Sequence, residues 1–327
     1  MELDLRDKKL LTYLDENSRT PESELAKKLQ ISRQAIKNRI DMLVKKRIIK
    51  KFIAIIDPTK FVDNIWHIYL KLQNMTVEKE QAVIRHLNNS DQIWWIALCQ
   101  GEWDIIFSYA GKDVFEFDKE LQKFNTEFSS LITNLEVTTF IKSEMFSRAY
   151  FINQVRKSKK YVSNRFKPEI SENEKSILKQ LAENSRINAT DICKKTKLTL
   201  RQVLYSITQL SKDEIIRAYR LQIDLEKIGY DYYKVCFYTQ SFTEQIENKI
   251  IYWCSNNPYT LFYVRKIAPW TFEIEFEMPS YKTLNETLKD LRNQFGTIIK
   301  KTETTMITKE YKGELNILKT VGINSEK

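Results

Sequence analysis

Histidine is scarce: His67 and His86 are the two in 327 residues. A zinc site or a histidine-based catalytic centre has few candidates, and neither a metal nor a cofactor is expected. The four cysteines, Cys99, Cys193, Cys236 and Cys254, show no CxxC spacing. They read as small buried hydrophobes in a reducing compartment, not as a disulfide framework or redox motif. Long hydrophobic runs are missing as well. The longest, IWWIALC at residues 93–99, falls far short of the roughly 20 apolar residues of a membrane helix, so no membrane partner is expected. The opening MELDLRDKK is charged from its start, which is not the pattern of a secretory signal, and a cytoplasmic protein is expected.

Positive charge is present and unevenly placed. The chain carries 53 Lys and Arg against 43 Asp and Glu, a net charge of +10. Residues 1–60 hold 15 basic against 9 acidic side chains, residues 61–141 hold 6 against 12, and residues 142–167 hold 8 against 1. Basic patches of this kind suit a polyanionic partner, and simple solvation is the plain alternative.

An internal repeat organises the rest. LLTYLDENSR (10–19) aligns with ILKQLAENSR (177–186), an offset of 167 with ENSR identical. The same offset pairs Ile40 with Ile207, Ile48-Ile49 with Ile215-Ile216, Asp57 with Asp224, Trp103 with Trp270 and Phe128 with Phe295. One unit is duplicated, and each unit has two parts. The first begins with a helical stripe at Leu5, Leu10, Leu11 and Leu14. A second helix starts at Thr20-Pro21, with a capping hydroxyl and a first-turn proline. A third, capped by Ser32, carries Ile36, Ile40, Leu43 and Val44, and the strand KKFIAIID (50–57) leads away. The second part reads β-α-β-β-α-β, and TFEIEFE (271–277) alternates as a strand should. The expected fold class is α+β: a tandem repeat of a (winged) helix-turn-helix domain and a ferredoxin-like βαββαβ domain. The expected boundaries are 1–60 and 61–141 for the first copy, 142–167 for a basic linker, 168–227 and 228–315 for a second copy with a degenerate helix-turn-helix, and 316–327 for a tail.

The stretch LDLRDKKLLTYLDENSRTPESELAKKLQISRQAIKNRIDMLVKKRIIKKFIAIID (3–57), together with GEWDIIF (101–107), resembles the leucine-responsive regulator/AsnC family of transcription factors. The carrying pattern is LD-x-x-D, then SR, then ELA, then S-x-x-x-[IV]-x-x-R-I, then a strand. The resemblance covers almost the whole chain outside the linker. It implies a regulator that binds double-stranded DNA through its N-terminal domain. It also implies sheet domains that dimerise and often bind an amino acid or related small effector. By the same resemblance Gly101 and Asp104 lie near an effector pocket, although GEWD also suits a plain hairpin turn. This chain departs from the family pattern in being double. The glycine common before the strand is Arg47 here and Glu214 in the second copy, while Gly101 and Asp104 become Ala268 and Thr271.

On a helical wheel with Ile36 inward, Gln34, Asn38, Asp41 and Lys45 face outward with Lys37 at the edge, and Arg33 and Arg39 flank the core face. The candidate DNA-binding residues are therefore Ser32, Arg33, Gln34, Lys37, Asn38, Arg39 and Lys45, amides and guanidinium groups for base edges and cations for phosphates. In the second copy Arg33, Lys37, Asn38 and Arg39 become Leu200, Leu204, Tyr205 and Ser206. That face suits protein packing, or DNA contact of another specificity through Arg201 and Tyr205. Linker residues Arg156, Lys157, Lys159 and Lys160 either lie on phosphates or keep the joint soluble. Trp66, Trp94, Trp95 and Trp103 read as sheet core or interface. Two sheet domains in one chain form either an intramolecular pseudo-dimer or part of a homo-oligomer. The expected protein is a transcriptional regulator and not an enzyme. The alternatives are a sirohaem-decarboxylase-like enzyme of similar architecture and a partner of other family members that does not itself bind DNA.

Overall fold

The computed structural model describes residues 3–152, 158–162, 167–313 and 317–323. In the first copy, α1 (Leu5–Glu16), α2 (Glu22–Leu29) and α3 (Arg33–Lys45) precede β1 (Ile49–Ile56), and a 3-10 turn at Pro58–Lys60 leads to the sheet domain. The sheet domain is β2 (Asn64–Leu72), α4 (Val77–Asn89), β3 (Ile93–Gly101), β4 (Ile105–Gly111), α5 (Val114–Phe128) and β5 (Ile132–Phe146). A short strand β6 (Ser158–Val162) folds back on β5. The second copy repeats the order with α6 (Glu172–Glu183), α7 (Ala189–Thr196), α8 (Leu200–Lys212), β7 (Ile216–Ile223) and the short α9 (Leu225–Ile228). It continues through β8 (Asp231–Thr239), α10 (Glu244–Asn256), β9 (Thr260–Ile267), β10 (Phe272–Met278), α11 (Tyr281–Phe295) and β11 (Ile299–Lys312), and ends in α12 (Ile317–Thr320).

Local chemistry accounts for the helix starts. Asp4, Ser32, Thr76 and Asp113 cap α1, α3, α4 and α5 by accepting backbone N–H bonds, and Ser171 and Thr199 form reciprocal capping boxes on α6 and α8. The start of α2 differs from the sequence reading. Pro21 itself occupies the cap position, and the Thr20 hydroxyl donates instead to Asn17 O. Leu5 is exposed at 63%, outside the core stripe that Leu10, Leu11 and Leu14 form. Arg47 and Glu214, the positions where glycine is common, both adopt left-handed φ near +57° and +58°, which explains the glycine preference there.

The two copies interlock. β1 pairs antiparallel with β7, so each helix-turn-helix lends its strand to the other. Leu221 and Ile223 of β7 complete the core of the first helical domain, while Ala54 and Ile56 of β1 join that of the second. Each sheet domain has the ferredoxin-like strand order, β5-β2-β4-β3 and β11-β8-β10-β9. β3 pairs with β11 and β5 with β9, which closes the eight strands into one barrel with helices outside. Closure removes the free edges of both sheets. It also changes what alternation means. In β10 the apolar Phe272, Ile274 and Phe276 pack under the helices, and Glu273, Glu275 and Glu277 point into the barrel instead of into solvent.

The expected linker is partly built into the sheet. β5 runs through residue 146, beyond the boundary expected at 141, and β6 pairs with its last residues. Arg156 and Lys157 lie outside the described residues. The expected tail carries α12, whose Ile317 and Leu318 are buried in the second copy's core.

Candidate nucleic-acid interface

Helix α3 presents most of the expected reading surface. Ser32 Oγ accepts the Ala35 N–H at 3.1 Å and fixes the helix start. Arg33 and Lys37 project into solvent, as does Lys45 in the last turn, and Arg33 Nε reaches Glu22 at 3.1 Å. Gln34 Nε2 donates to Asn38 Oδ1 at 2.8 Å. That bond leaves three amide N–H donors and the Gln34 carbonyl of the pair for a partner, which include the donor and acceptor that adenine's major-groove edge asks for. Arg39 is placed differently from the expectation. Its guanidinium donates to Asp4 at 2.8 Å and Asp7 at 2.6 Å, so it ties α3 to α1. The sequence signal was present in the LDLRD stretch, where Asp4 and Asp7 lie one helical turn apart.

Helix α8 occupies the equivalent place with different chemistry. Leu200, Leu204 and Tyr205 are exposed at 47%, 50% and 68%. Arg201 is exposed among them, and Ser206 turns inward beside Val203 and Leu210.

Between the two heads runs a pseudo-twofold seam, and it explains ENSR. Ser18 and Ser185 meet hydroxyl to hydroxyl at 2.5 Å. Arg19 donates to Ser185 O and Ile187 O, and Arg186 donates to Ser18 O and Thr20 O. Arg19 lies over the Tyr219 ring and Arg186 over the Phe52 ring, each 5.5 Å from the centroid. At Ser18 a residue faces its own counterpart and both copies carry the same side chain, whereas in the β1–β7 ladder Ile53 faces its counterpart Arg220 and the two differ. Away from the axis the copies part. Asp15, whose counterpart is Ala182, is buried between Arg148 and Arg220. Burial opposes its charge, and the two guanidinium groups overcome that and hold its pKa at about 2. Arg148 also binds Glu277, which joins the first helical domain, the end of β5 and the barrel.

The turn at Gly101 and Asp104 lies at the far end of the barrel. Gly101 has φ +116°, and a Cβ there would stand 2.6 Å from Thr304 O of the other copy. Asp104 accepts the Leu72 N–H at 2.7 Å, and Thr271 in the second copy accepts the Thr239 N–H at 3.2 Å. The barrel interior holds a closed ion network. Lys266 Nζ donates to both oxygens of Glu273 at 2.9 Å, and Lys234 bonds Glu273 and Glu275. Glu273 also accepts from Tyr69 and Trp270. Burial, then the neighbouring Lys266 and Lys234, pushes the His67 imidazole well below its usual pKa, so it is neutral. Toward the β1 end lies a cavity of about 180 Å³, lined in part by His67, Trp94, Trp95 and Ser108. Trp66 and Trp103 are core residues as expected, and Trp94 and Trp95 are cavity walls. No helix among the described residues is long and apolar enough to cross a membrane.

A family model described as winged helix-turn-helix DNA-binding matches residues 3–50 and again 170–217. An uncharacterized HTH-type transcriptional regulator of Pyrococcus horikoshii is 31% identical over 137 residues, 41% of this chain and 87% of that protein. The HTH-type transcriptional regulator LysM of Sulfurisphaera tokodaii is 26% identical over 133 residues, 41% of this chain and 92% of its own length. The sirohaem decarboxylase NirDL, in co-complex with an iron-uroporphyrin III analogue, matches with TM-score 0.60 at 12% identity, covering 94% of this chain and 92% of that one. At that identity the likeness shows a shared fold. It corrects the expectation that the chain is no enzyme, because a solved structure that matches it nearly end to end is that of an enzyme. The sequence relatives span a single repeat unit, and they are regulators. The chain belongs to the leucine-responsive regulator/AsnC family, as a form in which two family units are fused in tandem.

Proposed function

We propose that this protein is a sequence-specific DNA-binding transcriptional regulator that reads DNA mainly through α3. The observation that carries the reading is the contrast between the two recognition-helix positions. α3 exposes Arg33, Gln34, Lys37, Asn38 and Lys45, whereas α8 exposes Leu200, Leu204 and Tyr205. Hydrogen-bonding forks and flanking cations suit base edges and phosphates, and an apolar face suits neither. The barrel joins both copies inside one chain, which supports a single chain standing in for a family dimer with one strong and one weak head. An asymmetric binding site follows. A sedimenting species of 39.0 kDa that binds such a site is the expected result. Obligate pairing of chains on a palindrome would replace this picture.

The test is fluorescence anisotropy on duplex DNA from upstream of the protein's own gene, at several salt concentrations, for wild type and a Gln34/Lys37/Asn38→Ala variant. Salt-dependent, sequence-selective binding that the variant loses is expected. Each phosphate contact removed lowers the slope of log affinity against log salt by roughly 0.9. An effector acting at Gly101 and Asp104 would bear on the β3–β11 seam, and amino acids added to the same assay would shift the curve.

One observation favours a second reading. The whole-chain fold is similar to that of the solved sirohaem decarboxylase, and His67 lines the barrel cavity. At about 180 Å³ the cavity lies below the roughly 300–1,000 Å³ of sites that enclose drug-sized ligands, so a macrocycle would require it to widen. A tight Soret-shifted complex with added sirohaem, lost in His67→Ala, is the result that would establish this reading.

A further inference from the structure

DNA recognition gives the interior cavity no task. Three buried side-chain polar atoms without a hydrogen-bond partner, His67 Nδ1, Trp94 Nε1 and Ser108 Oγ, belong to residues that line this one cavity. Ser108 is 1% exposed. A buried polar atom without a partner is costly, and three such atoms on residues around one space make that space a candidate ligand site. Trp94 offers a donor, and Ser108 and the neutral imidazole of His67 offer donor or acceptor.

The fixed charges say what the ligand is not. Lys234 and Lys266 are matched by Glu273 and Glu275 in one closed network, and the further wall carboxyl, Glu310, accepts from Trp95 Nε1 at 2.6 Å, so the barrel wall holds no unmatched cation for an anionic ligand. Asp57, at the cavity rim, is committed to Arg217. The remaining walls include Phe140 and Phe262 with aliphatic Ile55 and Ile65. Flat apolar surfaces with hydrogen-bonding groups at the rim suit a ring. Size sets the limit: a cavity of about 150 Å³ holds benzene, so about 180 Å³ holds one six-membered ring with small substituents.

We propose that the cavity is a binding site for a neutral, planar nitrogen heterocycle of single-ring size, hydrogen-bonded by Ser108, Trp94 and His67 between aromatic walls. The site is separate from the Gly101–Asp104 turn. His67 and Leu72, the partner of Asp104, lie five residues apart on β2, roughly 15 Å. Ile55 and Ile56, at the end of the strand that follows α3, form part of its wall. A bound ring therefore braces the connection between the reading head and the barrel. This regulatory consequence rests on the DNA-binding reading, whereas the site itself does not.

The experiment is calorimetric titration of the full chain, without DNA, with uracil and nicotinamide as probes and with benzoate, benzylamine and sirohaem as competitors. At least one neutral ring should bind one-to-one with Kd below about 1 mM, within the ligand efficiency of so small a molecule. Ser108→Ala should weaken it about tenfold. Trp94→Phe keeps the wall and removes the N–H, and serves as the second variant should Ser108→Ala lower the unfolding midpoint. Failure of both rings to bind, indifference of binding to both variants, or preference for benzoate, benzylamine or sirohaem overturns the proposal. DNA anisotropy with and without the bound ring then reads the coupling. Ring binding that leaves DNA affinity unmoved keeps the site and removes the effector role. Absence of DNA binding removes the DNA reading while the titration still decides the site.

Discussion

The two copies are alike around the Ser18–Ser185 contact and unlike where they face outward or inward. Ser18 and Ser185, Arg19 and Arg186, and Asp57 and Asp224 are identical, and the two members of each pair bond the other copy in the same way. Asp57 pairs with Arg217 and Asp224 with Lys50, so even the ion pairs of the seam are repeated. The recognition helices share caps and core but not surface. The barrel interior shows the reverse polarity. The second copy supplies Lys234, Lys266, Glu273 and Glu275, where the first has His67, Cys99, Ile106 and Ser108. Fusion permits this. In a dimer of identical chains every charge placed in the barrel would appear twice, and in a single chain a cation can be set on one strand and its anion on the next.

The comparison is most exposed at Asp15, which is held by Arg148 and by Arg220 of the second copy and has only Ala182 as its counterpart. Asp15→Ala leaves two buried guanidinium groups short of a partner and should reduce stability by about 3–5 kcal/mol, measured by urea unfolding. Because the folded-state pKa of about 2 lies below the roughly 3.9 of an unfolded Asp, wild type should carry this contribution in full above pH about 4 and lose it as pH falls toward 2. The variant should lack that part of the acid transition.

Next come the heads. The Gln34/Lys37/Asn38→Ala change should weaken specific DNA binding by about 100-fold, since single base contacts contribute about 1–3 kcal/mol. Arg201→Ala should change it less than threefold or so. Equal losses in the anisotropy assay would mean that both heads read DNA. A smaller contrast separates the seam's two turns. Gly101→Ala puts a Cβ against Thr304 O at a left-handed φ and should cost about 1–3 kcal/mol, whereas Ala268→Gly, at the position that already accepts a Cβ, should stay within about 1 kcal/mol. The smallest effect is at the axis itself. Ser18→Ala and Ser185→Ala each leave one buried hydroxyl without its partner and should lower stability by about 1 kcal/mol. The double variant should cost less than the sum, since both singles remove the same bond.

Much of the architecture was legible in the chain. The 167-residue offset, the helix stripes and caps and the strand alternation are local, and local periodicity is what a linear reading detects. The swapped surface of α8 was legible for the same reason. What alternation leaves open is which solvent, water or another sheet, meets the second face of a strand. Glu273 and Glu275 alternate as surface residues do, and only closure of the barrel makes them interior. Arg39 lies where a phosphate-seeking cation would, and only the fold of α1 onto α3 brings Asp4 and Asp7 to it. ENSR was visible as a repeat but not as a seam, because an axis of symmetry exists only once both copies are in place. Ser108 and Trp94 carried no sequence signal for a site, since what singles them out is a missing partner in a shared cavity. The sequence by itself thus determined the elements, their duplication and the contrast between the heads. The pairing of β1 with β7, the closed barrel and its cavity were decided by contacts between residues more than a hundred positions apart, where no local pattern reaches.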